Sequence, residues 1–326
     1  MHRSHFLSLV LAAALAGLSS AAFAQAPKYP DKPIRIVVGF APGGFTDVLA
    51  RTVGQKLSAS LGQPVVVENK AGASGTIGAD AVAKSKADGY TLLLAHFASN
   101  SVAPALYPKL PYDVIRDFTP IVRVASTPVV LTVGSNFAAN DVAGFIDYAK
   151  KNPNQLSFAS SGSGSAQHLA GVQFMQATGV KMVHVPYKGS GAAITDLLSG
   201  NVGLNFESPP NILPHVKAGK LKALAITSLA RSPLFPSVPT LHEAGLPKFE
   251  MSQWFALMGP AHMPKEVVDQ LSSEVNAILK QPDVMEKIAN QGGDIIGGTP
   301  VQFSTFLKSD VEKWAKLVKD AGITLE

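Results

Sequence analysis

The stretch GFAPGGFTD, residues 39–47, decides how this chain is read. Gly39, Gly44 and Thr46 repeat the spacing of a phosphate-binding P-loop, but Phe45 stands where that loop needs lysine. Without the lysine a nucleoside triphosphate loses its point-charge clamp, and Asp47 adds a negative charge beside the loop. What survives is a glycine turn that opens a helix. The first N–H groups of a helix have no intrahelical partner, and the aligned peptide dipoles add partial positive charge there. Neutral N–H and O–H donors of this kind satisfy the lone pairs of a carboxylate. The stretch therefore points away from phosphoryl transfer and towards recognition of an organic acid; spacing alone leaves an ordinary tight βα turn as the alternative.

Working outward, IRIVVGF (34–40) is a β-branched run of buried-strand type before the loop. After it, TDVLARTVGQKLSASLG carries Leu49, Val53 and Leu57 at intervals of four and ends on Gly62, as an amphipathic helix with a glycine C-cap does. PVVVEN (64–69) and YTLLLAH (90–96) read as further strands, separated by the glycine-rich turn AGASGTIG and a short helix in TIGADAVAKSK. Such alternation builds a mostly parallel sheet covered by helices. The long β-type segment 117–135, interrupted by Pro128, reads as a hinge connection. Beyond it the first arrangement recurs: strand LSFAS (156–160), small-residue loop SGSGS, helix AQHLAGVQFMQATG, then VHVPY, AAITDLLSG and VGLNFE (202–207). LKALAITS (221–228) carries the chain back, and SQWFALMGP (252–260) supplies one more strand.

The C-terminus reads as a helix opened by a Thr299-Pro300-Val301-Gln302 capping box. Phe303, Phe306, Leu307, Val311, Trp314 and Leu317 or Val318 form a core face directed at the first half. The expected architecture is α/β and two-lobed: residues 25–124 in a first lobe, 125–226 in a second, and 227–326 returning to the first, with hinges near 125 and 227. Binding sites of open α/β sheets lie beyond the carboxyl ends of the strands, so GFAPGGFT and SSGSGSAQ can face one ligand across the cleft.

Several chemistries lack their signatures. There is no G-x-S-x-G elbow, no complete dinucleotide fingerprint and no H-E-x-x-H or EF-hand pattern, so neither a cofactor nor a metal is expected. Ser165 and His168 could be taken for a nucleophile and base of a hydrolase, but they emerge in one helical turn with no orienting acid; a cap and a cleft-lining imidazole fit better. Asp47 reads either as a first-turn carboxylate favoured by the dipole or as a contact to a ligand amine or hydroxyl. His96 either lines the cleft or is a hydrogen-bonded structural histidine, and Glu207 either repels a second ligand carboxylate or caps the helix after Pro210. A Gly164→Val change is expected to block ligand approach with little loss of fold.

The formal net charge is +5, with basic residues scattered, which argues against nucleic acid. The absence of cysteine excludes disulfides, thiolate metal sites and a lipidated N-terminal cysteine. Residues 1–24 read as a secretory signal, with a basic end, the apolar run FLSLVLAAALAGL and Ala22-Phe23-Ala24 before the cut, so a periplasmic mature chain starting at Gln25 is expected.

The blocks PGGFTD, ENKAGASGTIGADAVAKSKADGYTLLLA, LYPKLPYDVIRDFTPI, VPYKGSGAAITDLLSGNV and PSVPTLHEAG occur in an order and spacing that resemble the Bug-type substrate-binding proteins of tripartite tricarboxylate transporters. The resemblance runs from about Tyr29 to the C-terminal helix. It implies a periplasmic type II binding protein, a monomeric Venus-flytrap, that closes on a small organic carboxylate and delivers it to a large and a small integral membrane subunit. A ligand-sensing receptor for a membrane signalling partner has the same sequence features. Carried onto this chain, the first carboxylate-binding loop maps to Phe40, Ala41, Gly43, Gly44 and Thr46, with Asp47 beside it. The second maps to Ser160, Ser161, Gly164, Ser165, Ala166 and His168. Further wall positions are Ala73, Ser74, His96, Ser99, Tyr187, Gly189, Phe206 and Glu207. HFASN and FESPP fall where the family varies, so the resemblance does not carry the ligand across.

Overall fold

The β-branched run after Lys32 forms β1 (Ile34–Val38), whose side chains are almost all buried. In this computed structural model, which describes residues 29–324, β1 lies parallel to β2 (Val65–Asn69) and to β3 (Thr91–His96). The expected leader and its cleavage point lie outside the described residues. The sheet continues through β10 (Ser252–Pro260) and β4 (Phe118–Pro128) to an edge strand β11 (Asp294–Gly297), all in antiparallel pairings. A second sheet runs β7 (Val183–Pro186), β6 (Ser157–Ser160), β8 (Leu204–Glu207), β5 (Val130–Gly134) and β9 (Leu221–Ile226). There β6 is parallel to β7 and β8, while β5 is antiparallel to β8 and β9. The parallel triplets β2-β1-β3 and β7-β6-β8 are the part legible as strand–helix alternation. Both sheets are mixed and not mostly parallel, because the strands that cross between them enter antiparallel.

The two sheets have one plan. In each, the strand that opens a loop-and-helix unit is the middle of the parallel triplet, and a crossing strand pairs with the third member. The outgoing crossing is Val129, the one residue between β4 and β5. Its N–H donates to Thr227 Oγ1 at 2.9 Å, and its carbonyl accepts from the Thr227 N–H at 3.0 Å. Thr227 Oγ1 also donates to the Met251 carbonyl at 2.6 Å, and the Met251 N–H returns a bond to the Thr227 carbonyl at 3.0 Å. All three residues are fully buried, so these bonds are shielded from water and tie the outgoing and returning chains together at one point.

Helices cover both sheets. α1 (Phe45–Leu61) buries Leu49, Val53 and Leu57 and ends on Gly62 at φ 68°, whose N–H bonds back to Ser58. α2 (Thr76–Ala83), α3 (Ala103–Leu106), α4 (Val142–Lys151), α5 (Ala166–Thr178), α6 (Ser190–Ser199) and α7 (Pro209–Lys217) follow in order. Then come α8 (Lys265–Ile278) and α9 (Pro282–Ala289), which with β11 have no counterpart in the sequence-based expectation. α10 (Pro300–Asp320) starts with the expected capping box: the Gln302 N–H donates to Thr299 Oγ1, and the Thr299 N–H donates to Gln302 Oε1. Its buried Phe303 and Trp314 stack edge-on against Trp254 and Phe97 of the first lobe, as the periodicity predicts. Among the described residues no helix is long and apolar enough to cross a membrane.

That helix also brings a carboxylate into the core. Asp310 accepts from Ser101 Oγ at 2.6 Å, Trp254 Nε1 at 2.8 Å and Trp314 Nε1 at 3.0 Å. Asp310→Ala leaves the buried Trp314 indole N–H without an acceptor, at about 1–3 kcal/mol, and leaves Trp254 Nε1 and Ser101 Oγ only each other, 3.2 Å apart. Urea unfolding is expected to show a loss of at least about 2 kcal/mol; a loss under about 0.5 kcal/mol, typical of an uninvolved surface site, contradicts the assignment.

Candidate ligand site at two helix starts

The first loop is held by packing on one side and by a carboxylate on the other. A Cβ added at Gly39 would lie 2.6 Å from the Gly75 carbonyl oxygen, so only glycine lets the strand end pass the turn Ala73–Gly75. Asp47 accepts from the Gly43 N–H at 3.0 Å and Arg51 Nε at 2.9 Å on one oxygen, and from Asn69 Nδ2 at 2.9 Å on the other. Asn69 Nδ2 reaches the Phe40 carbonyl as well, at 3.0 Å. The Arg51 hydrogen bond above all, with those from Gly43 and Asn69, holds the buried Asp47 carboxyl at about 2 against the opposing effect of burial. Asp47 is thus the loop's anchor and not a free ligand contact. Gly44, the N-cap of α1, offers no side chain to the first-turn amides, and Ala41, Gly43 and Gly44 are exposed. Thr46 is buried in the same turn.

The remaining first-lobe candidates divide. Ala73 and Ser74 are exposed, with φ of 46° and 55°. His96 is buried: its Nδ1 accepts from the Ala98 N–H at 3.1 Å, the ring bonds with Gln253, and burial pushes the imidazole down to about 4. Ser99 is turned inward, its hydroxyl bonded to the Asn100 side chain at 2.7 Å and its carbonyl accepting from Tyr112 Oη. It does not serve as a cleft wall.

The second loop is built from small residues whose hydroxyls tie it down. Ser160 Oγ meets His184 Nε2 at 2.7 Å and accepts from the Gly162 N–H, while Ser161 Oγ donates to Gln167 Oε1 at 3.0 Å. Ser165 caps α5 by accepting from the His168 main-chain N–H at 3.3 Å, and His168 Nδ1 accepts from the Gly164 N–H at 3.1 Å. The imidazole of His168 therefore braces the loop and does not touch the Ser165 hydroxyl, which removes the nucleophile–base reading. His168 and His184 stack with centroids 3.7 Å apart, and burial lowers them to about 3 and about 4, His168 further by its neighbour's charge. Ala166 is the buried first residue of α5.

Around this loop, Tyr187 Oη donates to Asp196 at 2.6 Å, and Gly189, at φ 109°, caps the start of α6, where an added Cβ would meet nothing within 4 Å. Phe206 is a correction to the expected wall: it is fully buried and tilted against Phe174 in the core. Glu207 is also fully buried. It accepts from Gln167 Nε2, Ser190 Oγ, Asn211 Nδ2 and the Ser208 N–H on one oxygen and from Asn205 Nδ2 on the other. It holds α5, α6 and α7 together instead of facing a ligand. Arg51, Asn69, Gln167, His184 and Asn205 are missing from the sequence-based site. Asn69 carried a signal, as a polar residue ending an apolar strand.

The lobes approach each other on two sides of these loops. A Cβ at Gly164 would lie 2.3 Å from Leu106 Cδ1 of α3, and Gly164 has φ 76°. Gly164→Val therefore strains the fold, contrary to expectation. On the other side, Cβ atoms at Gly292 and Gly293 would meet Pro209 at 2.9 Å and Phe45 at 2.7 Å, so this turn bridges the starts of α7 and α1.

Two sheets of matching order, joined by paired crossings and each presenting a strand–loop–helix start, define the two-lobed fold of periplasmic solute-binding proteins. The chain belongs to the family described as "Tripartite tricarboxylate transporter family receptor", whose profile matches residues 49–323, and it is of the Bug type. It is 41% identical over 325 residues to Protein BugT of Bordetella pertussis, covering 98% of each chain. Among solved structures it resembles R. palustris Rpa4515 with adipate, at 36% identity and TM-score 0.79, covering 91% of this chain and 100% of that one. MatC from Rhodopseudomonas palustris with bound malate is similar at 33% identity and TM-score 0.74, covering 89% and 100%. These relatives are substrate-binding receptors, and this chain is a receptor and not an enzyme.

Both anchors have acid signatures. Asp47, depressed when folded, stabilises the fold above its unfolded value near 3.9, and this is lost as pH falls towards about 2. Asp47→Asn should lower the melting temperature at pH 6, with the gap closing below about pH 4; an equal gap at pH 2 contradicts the anchor. The three neutral histidines titrate near 6.5 once unfolded, so below pH 6.5 the unfolded chain binds more protons and stability falls with pH, by at most about 1.4 kcal/mol per pH unit for each. His184→Phe is expected to reduce that slope between pH 6.5 and 4 in urea titrations; an unchanged slope contradicts a buried, neutral His184.

Proposed function

We propose that this receptor captures a small organic carboxylate between its two loops in the periplasm and delivers it to the large and small membrane subunits of a tripartite carrier. The observation that carries this reading is the matched pair of strand–loop–helix starts, Gly39–Thr46 and Ser160–Ala166, at equivalent positions in the two sheets. Each start directs main-chain donors beyond the carboxyl end of its strand. The first has no cation to offer, because Arg51 is committed to Asp47. Neutral amides with a helix dipole suit a carboxylate better than a polyphosphate. The relatives bound to adipate and malate support the same ligand class.

In this reading the lobes, residues 29–128 with 228–324 and residues 130–226, close about the paired crossings at Val129 and Thr227. The ligand favours the closed form because only there do both loops contact it. Gly44 is the position for a test: its φ of −76° accepts alanine, and an added Cβ would lie no nearer than 4.0 Å to the Ala41 carbonyl oxygen. With protein stripped of co-purified ligand, a di- or tricarboxylate at a hundred times its dissociation constant should raise stability by about 2.7 kcal/mol. Gly44→Ala is expected to weaken binding about tenfold or more in calorimetry while changing stability by about 1 kcal/mol or less. No response to any carboxylate, or unchanged affinity in the variant, contradicts the reading.

A further inference from the structure

The first loop is bracketed by two half-buried phenylalanines, Phe40 before it and Phe45 after it. Behind them the rings are continuous. Phe40 meets His96 edge-on with centroids 4.7 Å apart, His96 lies 5.0 Å from Phe255, and Phe255 meets Phe45 edge-on at 4.9 Å. His96 and Phe255 are 7% and 3% exposed and form the backing, so Phe40 and Phe45 supply the surface. Phe45 is braced from a second direction by the turn at Gly293. Four rings therefore run from one end of the exposed amides to the other.

The polar atoms of this wall are already engaged. His96 Nδ1 is taken by the Ala98 N–H, and the ring is bonded with Gln253. Ser99 Oγ is turned to Asn100 and the His96 carbonyl. Both Asp47 oxygens and the Asn69 amide nitrogen are engaged within the loop. Beside the amides these residues offer a ligand ring carbon, and the hydroxyls of Thr46 and of the exposed Ser74 are the side-chain partners left nearby.

We propose that the ligand is a carboxylate whose body beside the bound carboxyl group is an aromatic ring. The proposal rests on the carboxylate-receptor reading above and narrows it to one substrate class. A flat ring packs edge-on or offset against Phe40 and Phe45 as the four protein rings pack against one another. A hydroxylated chain such as malate or citrate would instead place hydroxyl groups against ring carbon, and a hydroxyl packed on the rings finds no partner in them. A flexible methylene chain fits the apolar surface but gives up more rotamer freedom than a ring.

Calorimetry of the ligand-free receptor with benzoate, phthalate, adipate, malate and citrate tests this. Benzoate or phthalate is expected to bind at least about tenfold more tightly than malate and citrate, the scale on which an apolar pocket discriminates. In Phe45→Leu and Phe40→Leu the ratio of aromatic to adipate affinity should fall severalfold. Malate or citrate binding as tightly as the aromatic acids would overturn the aromatic assignment and leave the carboxylate reading standing. Binding of none of the five would remove both. Preference for the aromatic acids that neither substitution diminishes would overturn the role of these rings.

Discussion

Each lobe holds its loop with one buried carboxylate. Asp47 gathers Gly43, Arg51 and Asn69 around the first loop, and Glu207 gathers donors from the starts of α5, α6 and α7 around the second. A buried carboxylate without donors is costly, and one satisfied by several hydrogen bonds fixes the geometry of everything that donates to it. The consequence for function is preorganisation. In the proposed site the amides at the helix starts are oriented before a ligand arrives, and Arg51 and the Asn69 side-chain amide, which could otherwise bind it, are committed elsewhere.

The crossings determine how the two loops can meet. Val129, Thr227 and Met251 exchange main-chain and hydroxyl bonds at one buried point, so the chain segments between the sheets act as a pair. In the proposed closure, rotation about such a pair would bring the far loops together without disturbing either sheet, since each sheet keeps its own ladder. The contacts of Leu106 with Gly164 and of Pro209 with the turn at Gly292 mark where the lobes already touch.

Much of the fold could be read because its elements follow simple periodicities. β1 and its loop, the glycine cap of α1 and the capping box of α10 were legible one residue at a time, since each rests on local geometry. The direction of the crossing strands was not, because nothing local to SQWFALMGP says which neighbours it joins. β11 is four residues long and ends on glycine, and reads as a turn until Ala125 and Ser126 pair with it. α8 has a regular apolar spacing at Val267, Val268, Leu271, Val275 and Ile278 and could have been assigned from it. In the site, the glycine loops were found from spacing. The partners of Asp47, Glu207 and His168 were not, because they come from strands and helices far away in sequence; Phe206 failed because its alternation points it at the core.

The central claim is that main-chain amides from both lobes hold one anionic ligand together. The most direct measurement is a titration of the isotope-labelled receptor with adipate, following the amide resonances of Gly44, Phe45 and Thr46 alongside those of Ser165 and Ala166. The account predicts that both groups shift along a single saturation curve. Movement of one group alone, or of neither while adipate binds, would contradict it.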